Sequence, residues 1–198
     1  MKFIWKTYLI PIIDYCSQLY GPNSGSGLLK LENLQKAFTS KISGIGHLSY
    51  WERLKKLKIY SITRRFERYK IIYVHKIING HTHNCGLTWH NSENSGILVD
   101  MINVKQYSKT LREQSFHYTG PRLHNTLPRY LRDDRKSTPI EWKTLLDTFL
   151  SKIPDTPLTT DEVPGLCNYN SLPTNSVFYW IPHLNLADRR GKQPKKNT

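Results

Sequence analysis

Between Leu28 and Gly80 the apolar residues return every three or four positions with charged residues between them, a spacing that predicts three consecutive amphipathic helices. The first runs from about Leu28 to Ile42, with Leu31, Leu34, Phe38 and Ile42 on one stripe, Lys30, Lys36 and Lys41 elsewhere, and Gly44 and Gly46 ending it. Ser49 and Glu52 have the spacing of a capping box, in which each side chain satisfies the other residue's backbone N–H; they open a short helix with Leu54 and Leu57 inward. Ser61 starts the longest helix. Its apolar face is Ile62, Phe66, Tyr69, Tyr73 and Ile77, with Arg64, Arg65, Arg68 and Lys70 mostly off that face and Gly80 as its stop.

Upstream, Ile4, Trp5, Tyr8, Ile12, Tyr15, Cys16 and Leu19 recur at helical spacing, which predicts an inward-facing helix kinked before Pro11. Lys6, Pro11 and Asp14 interrupt this segment and no small-residue cleavage site follows, so it does not read as a signal peptide, and it is too short and too charged to span a bilayer. Gly21 to Gly27 is a loop of glycine, proline, asparagine and serine. Downstream, His81 to Asn103 has no period and reads as an exposed loop or insertion. Ser115 to Tyr118 alternates polar and aromatic residues as a half-buried strand does, and Gly120-Pro121 then turns the chain. Leu123, Leu127 and Leu131 suggest a helical turn interrupted by Pro128. Thr138, Pro139 and Glu141 form a second helix start, followed by an apolar face of Trp142, Leu145, Leu146, Phe149 and Leu150. After Ile153 the chain is proline-rich and ends in Arg189, Arg190, Lys192, Lys195 and Lys196.

The expected fold is therefore mainly α: a small helical bundle with a short aromatic β element and an irregular basic C-terminal arm. Its expected organisation is a basic helical domain over 1–80, a polar loop or insertion over 81–103, a strand, turn and packing helix over 104–153, and a tail over 154–198.

Charge turns this fold expectation into a functional one. The 198 residues carry a formal +14, and between Leu28 and Gly80 twelve lysines and arginines face three glutamates, a net +9. A polyanion is the partner such a block predicts. Hydrophobic content of 38% is enough to build a core. Cys16, Cys85 and Cys167 are odd in number and far apart, which argues against a disulfide framework and for a reducing, intracellular compartment. His81, His83, Cys85 and His90 lack the paired spacing of a zinc site, so no metal and no cofactor is expected.

The order of segments resembles a known family. Pro11-Ile12-Ile13-Asp14-Tyr15-Cys16-Ser17-Gln18-Leu19-Tyr20, Leu31-Glu32-Asn33-Leu34-Gln35-Lys36-Ala37-Phe38-Thr39 and Leu48-Ser49-Tyr50-Trp51-Glu52-Arg53-Leu54 are similar to the region downstream of the polymerase domain in LINE-type, jockey-like non-LTR retrotransposon reverse transcriptases. Arg64 to Lys70 with Lys76 to Gly80, and then Ser115 to Pro128, continue the resemblance in order, over roughly residues 8 to 155. The family pattern has arginine where Thr119 stands and tryptophan where His124 stands. The resemblance implies a thumb-like, post-polymerase segment of a larger polyprotein that holds template and primer.

The paired aspartates that such a polymerase needs, after an aromatic residue and an alanine, are missing. Asp133-Asp134 is the one such doublet and follows Leu131-Arg132, so no catalytic activity is expected of this chain by itself. The expected partners are RNA and DNA, held through their phosphates by Lys36, Lys41, Arg53, Lys55, Lys56, Lys58, Arg64, Arg65, Arg68, Lys70 and Arg122 without sequence preference. Tyr50, Trp51, Tyr60, Phe116 and Tyr118 read as core or as base-stacking rings, Tyr60 more than the rest as a stacking ring. The alternative is a docking module whose apolar faces, on the first helix and the helix from Thr138, pack on the polymerase domain. No membrane partner is expected.

Overall fold

A computed structural model describes residues 2–15, 17, 25–84, 86–87, 115–155 and 176–177. The described part is mainly helical. The N-terminal segment comprises α1 (Lys2–Ile4), a π-helical stretch (Trp5–Leu9) and α2 (Ile10–Asp14), and is followed by α3 (Gly25–Ser40), α4 (Tyr50–Leu57) and α5 (Ile62–Ile78). Then come α6 (Phe116–Thr126), α7 (Arg129–Arg132) and α8 (Pro139–Leu150).

Both capping boxes form. Ser49 Oγ accepts from Glu52 N–H while Glu52 accepts from Ser49 N–H at 2.9 Å, and Thr138 and Glu141 exchange the same pair of bonds. At the other end of α5, Gly80 takes a left-handed φ of +69° and His81 N–H donates to Lys76 C=O at 2.8 Å, which ties off the last turn.

Helix α5 is the axis of the molecule. Ile71 and Ile72 enter a core with Leu123, Leu127 and Leu131 of the α6–α7 region, Trp142, Leu146, Phe149 and Leu150 of α8, and Ile153 and Val177. A second cluster joins Val74, Ile77, Leu87 and Phe116. Ser176 and Val177, the described residues beyond 155, are fully buried, and Val177 belongs to the first of these clusters; the rest of the tail expected over 154–198 lies outside the described residues apart from Pro154 and Asp155.

Three sequence expectations are corrected. The strand expected at Ser115 to Tyr118 is the start of α6, and Gly120-Pro121 lies inside that helix. Gly120 is required by close packing: a Cβ there would meet Phe116 Cε2 at 2.7 Å and Val74 Cγ2 of α5 at 3.1 Å. Pro121 removes a helical N–H but buries its ring. Gly120→Ala is therefore expected to destabilise by about 1–3 kcal/mol despite the better helix propensity of alanine. Urea denaturation measures it, and an unchanged midpoint would show that the Phe116 ring yields.

The second correction concerns α1 and α2. Trp5 is buried and stacks on Phe38 of α3 at 4.7 Å, but Ile4, Tyr8, Ile12 and Tyr15, expected inward, are exposed. The π-helical stretch shifts the helical phase after Trp5, so the stripe that begins on α3 does not stay on it. Cys16 and Leu19 lie outside the described residues. The third correction is α3 itself, whose buried face is polar: Glu32, Gln35 and Thr39 are buried, while Leu34 is half exposed.

Candidate nucleic-acid interface

The buried face of α3 exists to hold the start of α5. Glu32 accepts from Ile62 N–H at 2.9 Å and from Tyr50 Oη at 2.5 Å, and Gln35 Nε2 donates to Tyr50 Oη and to Tyr60 C=O. Asp155 accepts from Ser61 N–H at 2.9 Å and from Ser61 Oγ. Two carboxylates thus meet the positive end of the α5 dipole. Burial pushes the Glu32 carboxyl up to about 7, against the opposing pull of the Tyr50 and Ile62 hydrogen bonds.

This arrangement sorts the basic residues into two sets. Arg53 is buried and donates to Thr39 Oγ1 and to the carbonyls of Lys36, Gly46 and Leu48, so it ties α4 to the end of α3. Arg64 is fully buried, donating to the carbonyls of Pro154 at 3.0 Å and Leu150 at 3.4 Å, with Glu67 4.0 Å away. Both were expected on a phosphate-contacting surface; their forks are spent on internal carbonyls instead. Arg65 pairs with Asp14 at 3.2 Å, and Arg68 grips Asp147 with two bonds of 2.5 and 2.7 Å. Lys70 is half-buried, and that burial holds its amine below the usual lysine range.

The remaining expected contacts lie outward. Lys41, Lys55, Lys56 and Lys58 are exposed, Lys36 is half-buried, and Arg122 is exposed with its guanidinium over the Tyr118 ring. Lys55 Nζ lies 4.6 Å from the Trp51 ring centroid. Lys58 caps α4 in a left-handed conformation, φ +52°. Burial of Glu32 and Glu67 leaves Glu52 as the one exposed acid between Leu28 and Gly80, against exposed Lys30, Lys41, Lys55, Lys56 and Lys58. The surface of this block is thus strongly basic even after Arg53 and Arg64 are withdrawn.

Of the rings, Tyr50 and Phe116 are buried, and Tyr60 packs against the core with its hydroxyl donating to Asp147. The Asp133-Asp134 doublet is held within its own loop. Asp133 accepts from Arg129 and Arg132, and Asp134 accepts from the N–H groups of Lys136 and Ser137. His81 and His83 are exposed; Cys85 and His90 lie outside the described residues. Among the described residues no group of three or more histidines, cysteines and acids is placed to hold a metal, and no helix is long and apolar enough to cross a membrane.

Two hollows flank α5. One, of about 270 Å³, is lined by Arg68, Tyr69, Ile72, Tyr73, Lys76 and Lys143; the other, of about 260 Å³, by Ile10, Lys58, Ile59, Tyr60 and Arg65. Sequence reasoning missed Lys76 and Lys143 as partners, because the two lie 67 positions apart on different helices. Comparison with protein-family models, curated proteins and solved structures finds no match for the chain.

Proposed function

We propose that the chain is a nucleic-acid-holding helical module, without catalytic chemistry of its own, that grips RNA and DNA through their phosphates. The observation that carries this reading is the exposed lysine set around α4 facing a single exposed glutamate. Such a surface releases condensed counterions on binding, and affinity then depends on charge and little on base sequence. The resemblance in segment order over roughly residues 8 to 155 extends the reading to a post-polymerase, thumb-like part of a LINE-type reverse transcriptase.

Binding should therefore depend steeply on salt. With about six phosphate contacts, raising salt from roughly 50 to 200 mM is expected to weaken binding on the order of a thousandfold. Replacing Lys55, Lys56 and Lys58 with glutamine should lower the slope of log affinity against log salt by about 3, with little change in stability because all three are exposed. Fluorescence anisotropy on labelled oligonucleotides measures both. Absence of binding at low salt would overturn the reading.

One observation favours a second reading, a docking module. Phe3, Tyr8, Ile12 and Tyr15 place apolar and aromatic surface in solvent on the N-terminal helical segment, with Ile12 73% and Tyr15 80% exposed. In the parent polyprotein this face would pack on the polymerase domain, and the two readings are compatible there.

A further inference from the structure

We infer that the hollow between α5 and α8 is a subsite for one unstacked nucleotide of a single strand, with Lys76 and Lys143 on the phosphate and Tyr73 against the base. The inference rests on the nucleic-acid reading above and gives it a preference which the lysines around α4 do not supply.

The hollow combines two kinds of wall. Lys76 of α5, Lys143 of α8 and Arg68 of α5 supply its cationic lining. The Arg68 charge is already matched by Asp147, whose two oxygens take both of its bonds, so the surplus charge in the hollow belongs to the two lysines. Of the nearby acids, Asp147 is held by Arg68, and Asp14 takes Arg65 and the Tyr69 hydroxyl. Among the described residues neither lysine enters an ion pair, and two such ammonium groups on one hollow suit a phosphate diester, which carries one charge and several acceptor oxygens.

The other wall is aromatic and apolar. Ile72, Tyr69 and Tyr73 line it. The Tyr69 ring already has the Arg68 guanidinium 5.8 Å from its centroid and its hydroxyl is committed to Asp14, which leaves Tyr73 as the ring for a ligand. Tyr73 is braced edge-on against Phe116, with centroids 5.3 Å apart at 72°, and still lines the hollow. A braced ring loses little freedom when a base stacks on it. At about 270 Å³ the hollow is just below the usual size of small-molecule pockets, roughly 300–1,000 Å³, so it admits one small unit and not a stretch of strand. A duplex keeps its bases paired and stacked inside, so it has no free base to enter the hollow and draw the adjoining phosphate onto Lys76 and Lys143.

The test compares a labelled 12-nucleotide oligo-uridine with a blunt RNA duplex of equal length, on the full chain at fixed salt. The double variant Lys76→Gln/Lys143→Gln is expected to weaken single-strand binding about tenfold, to lower its salt slope by 1 to 2, and to change duplex binding less than twofold. Tyr73→Leu should weaken single-strand binding several-fold with an unaltered salt slope, since no charge is removed. A thermal melt of each variant checks that the fold persists, and the lysine variant, whose residues belong to neither core cluster, keeps the test valid if Tyr73→Leu unfolds. Unchanged single-strand affinity in the lysine variant overturns the subsite while leaving the nucleic-acid reading in place. Failure of the unaltered chain to bind either probe overturns both.

Discussion

Arg64→Ala is expected to lower stability by about 3–5 kcal/mol, a large share of the roughly 5–15 kcal/mol that holds a domain folded. The side chain is fully buried and its two N–H bonds satisfy Leu150 C=O, at the end of α8, and Pro154 C=O, one residue before the Asp155 that caps α5. Truncation leaves both carbonyls without this donor and takes from Glu67 the guanidinium that lies 4.0 Å away. Glu67 is itself buried, accepting from Ser176 Oγ and from Val177 N–H, so the loss extends to Ser176 and to Val177 in the core. Burial holds the Glu67 carboxyl above the usual range, and removing the Arg64 charge pushes it further. Arg64→Lys should recover only part of the loss, because one ammonium replaces a planar fork. Urea denaturation should show a lower midpoint at unchanged slope. A loss under about 1 kcal/mol would show that the guanidinium does not anchor these elements. The consequence reaches the functional assay: weaker nucleic-acid binding in an Arg64 variant reports unfolding, whereas the exposed Lys55, Lys56 and Lys58 report contact.

His124→Leu is expected to remove about half of the acid-induced loss of stability that the two buried histidines, His75 and His124, produce between pH 6.5 and 4. His124 is fully buried, neither ring nitrogen has a hydrogen-bond partner among the described residues, and burial, reinforced by the charges of His75 and Arg132, pushes its pKa down to about 3. Its neighbour His75 stacks on Trp142 at 3.6 Å and is lowered to about 4, again by burial. A histidine with a depressed pKa is neutral in the fold and binds a proton in the unfolded chain below about 6.5. Its favourable contribution is therefore complete above that pH and declines as pH falls towards the folded value, by about 1.4 kcal/mol per unit for each histidine. Glu32, raised to about 7, acts in the opposite sense: its contribution is complete below about 4.5 and is lost as pH rises through 7. The sum can therefore look flat, and the informative quantity is the difference between parent and variant. That difference should favour His124→Leu increasingly from pH 6.5 down to 4, at about 1.4 kcal/mol per unit. Parallel stability curves over this range would mean that His124 finds a partner for its proton.

How much of this was legible in the sequence differs from one element to the next. The starts of α4, α5 and α8 at Ser49, Ser61 and Thr138, and the stop of α5 at Gly80, are signalled within one helical turn, and the structure places them there. The apolar pairs Leu54 with Leu57 and Trp142 with Leu146 also face inward as their spacing implies. Alternation misled at Ser115 to Tyr118, where Gly120 reads as a breaker but is the residue that lets α6 approach Val74. Helical periodicity misled on α3, where the apolar stripe pointed to Leu31, Leu34, Phe38 and Ile42, because a buried face of Glu32, Gln35 and Thr39 has no hydrophobic signature.

The sequence by itself determined the mainly helical class, the capped starts and the excess of basic charge, because each is a property of a few neighbouring residues or of a sum over them. Only the tertiary structure decided which of those cations meet solvent. Arg64 is internal because carbonyls 86 and 90 positions away come to it, and Arg68 is paired because Asp147 arrives from 79 positions away. The Lys76–Lys143 hollow arises in the same way, from the packing of α8 against α5. Local periodicity specifies the face of a helix, but the groups that satisfy or leave open a charge on that face come from distant chain, and packing alone brings them together.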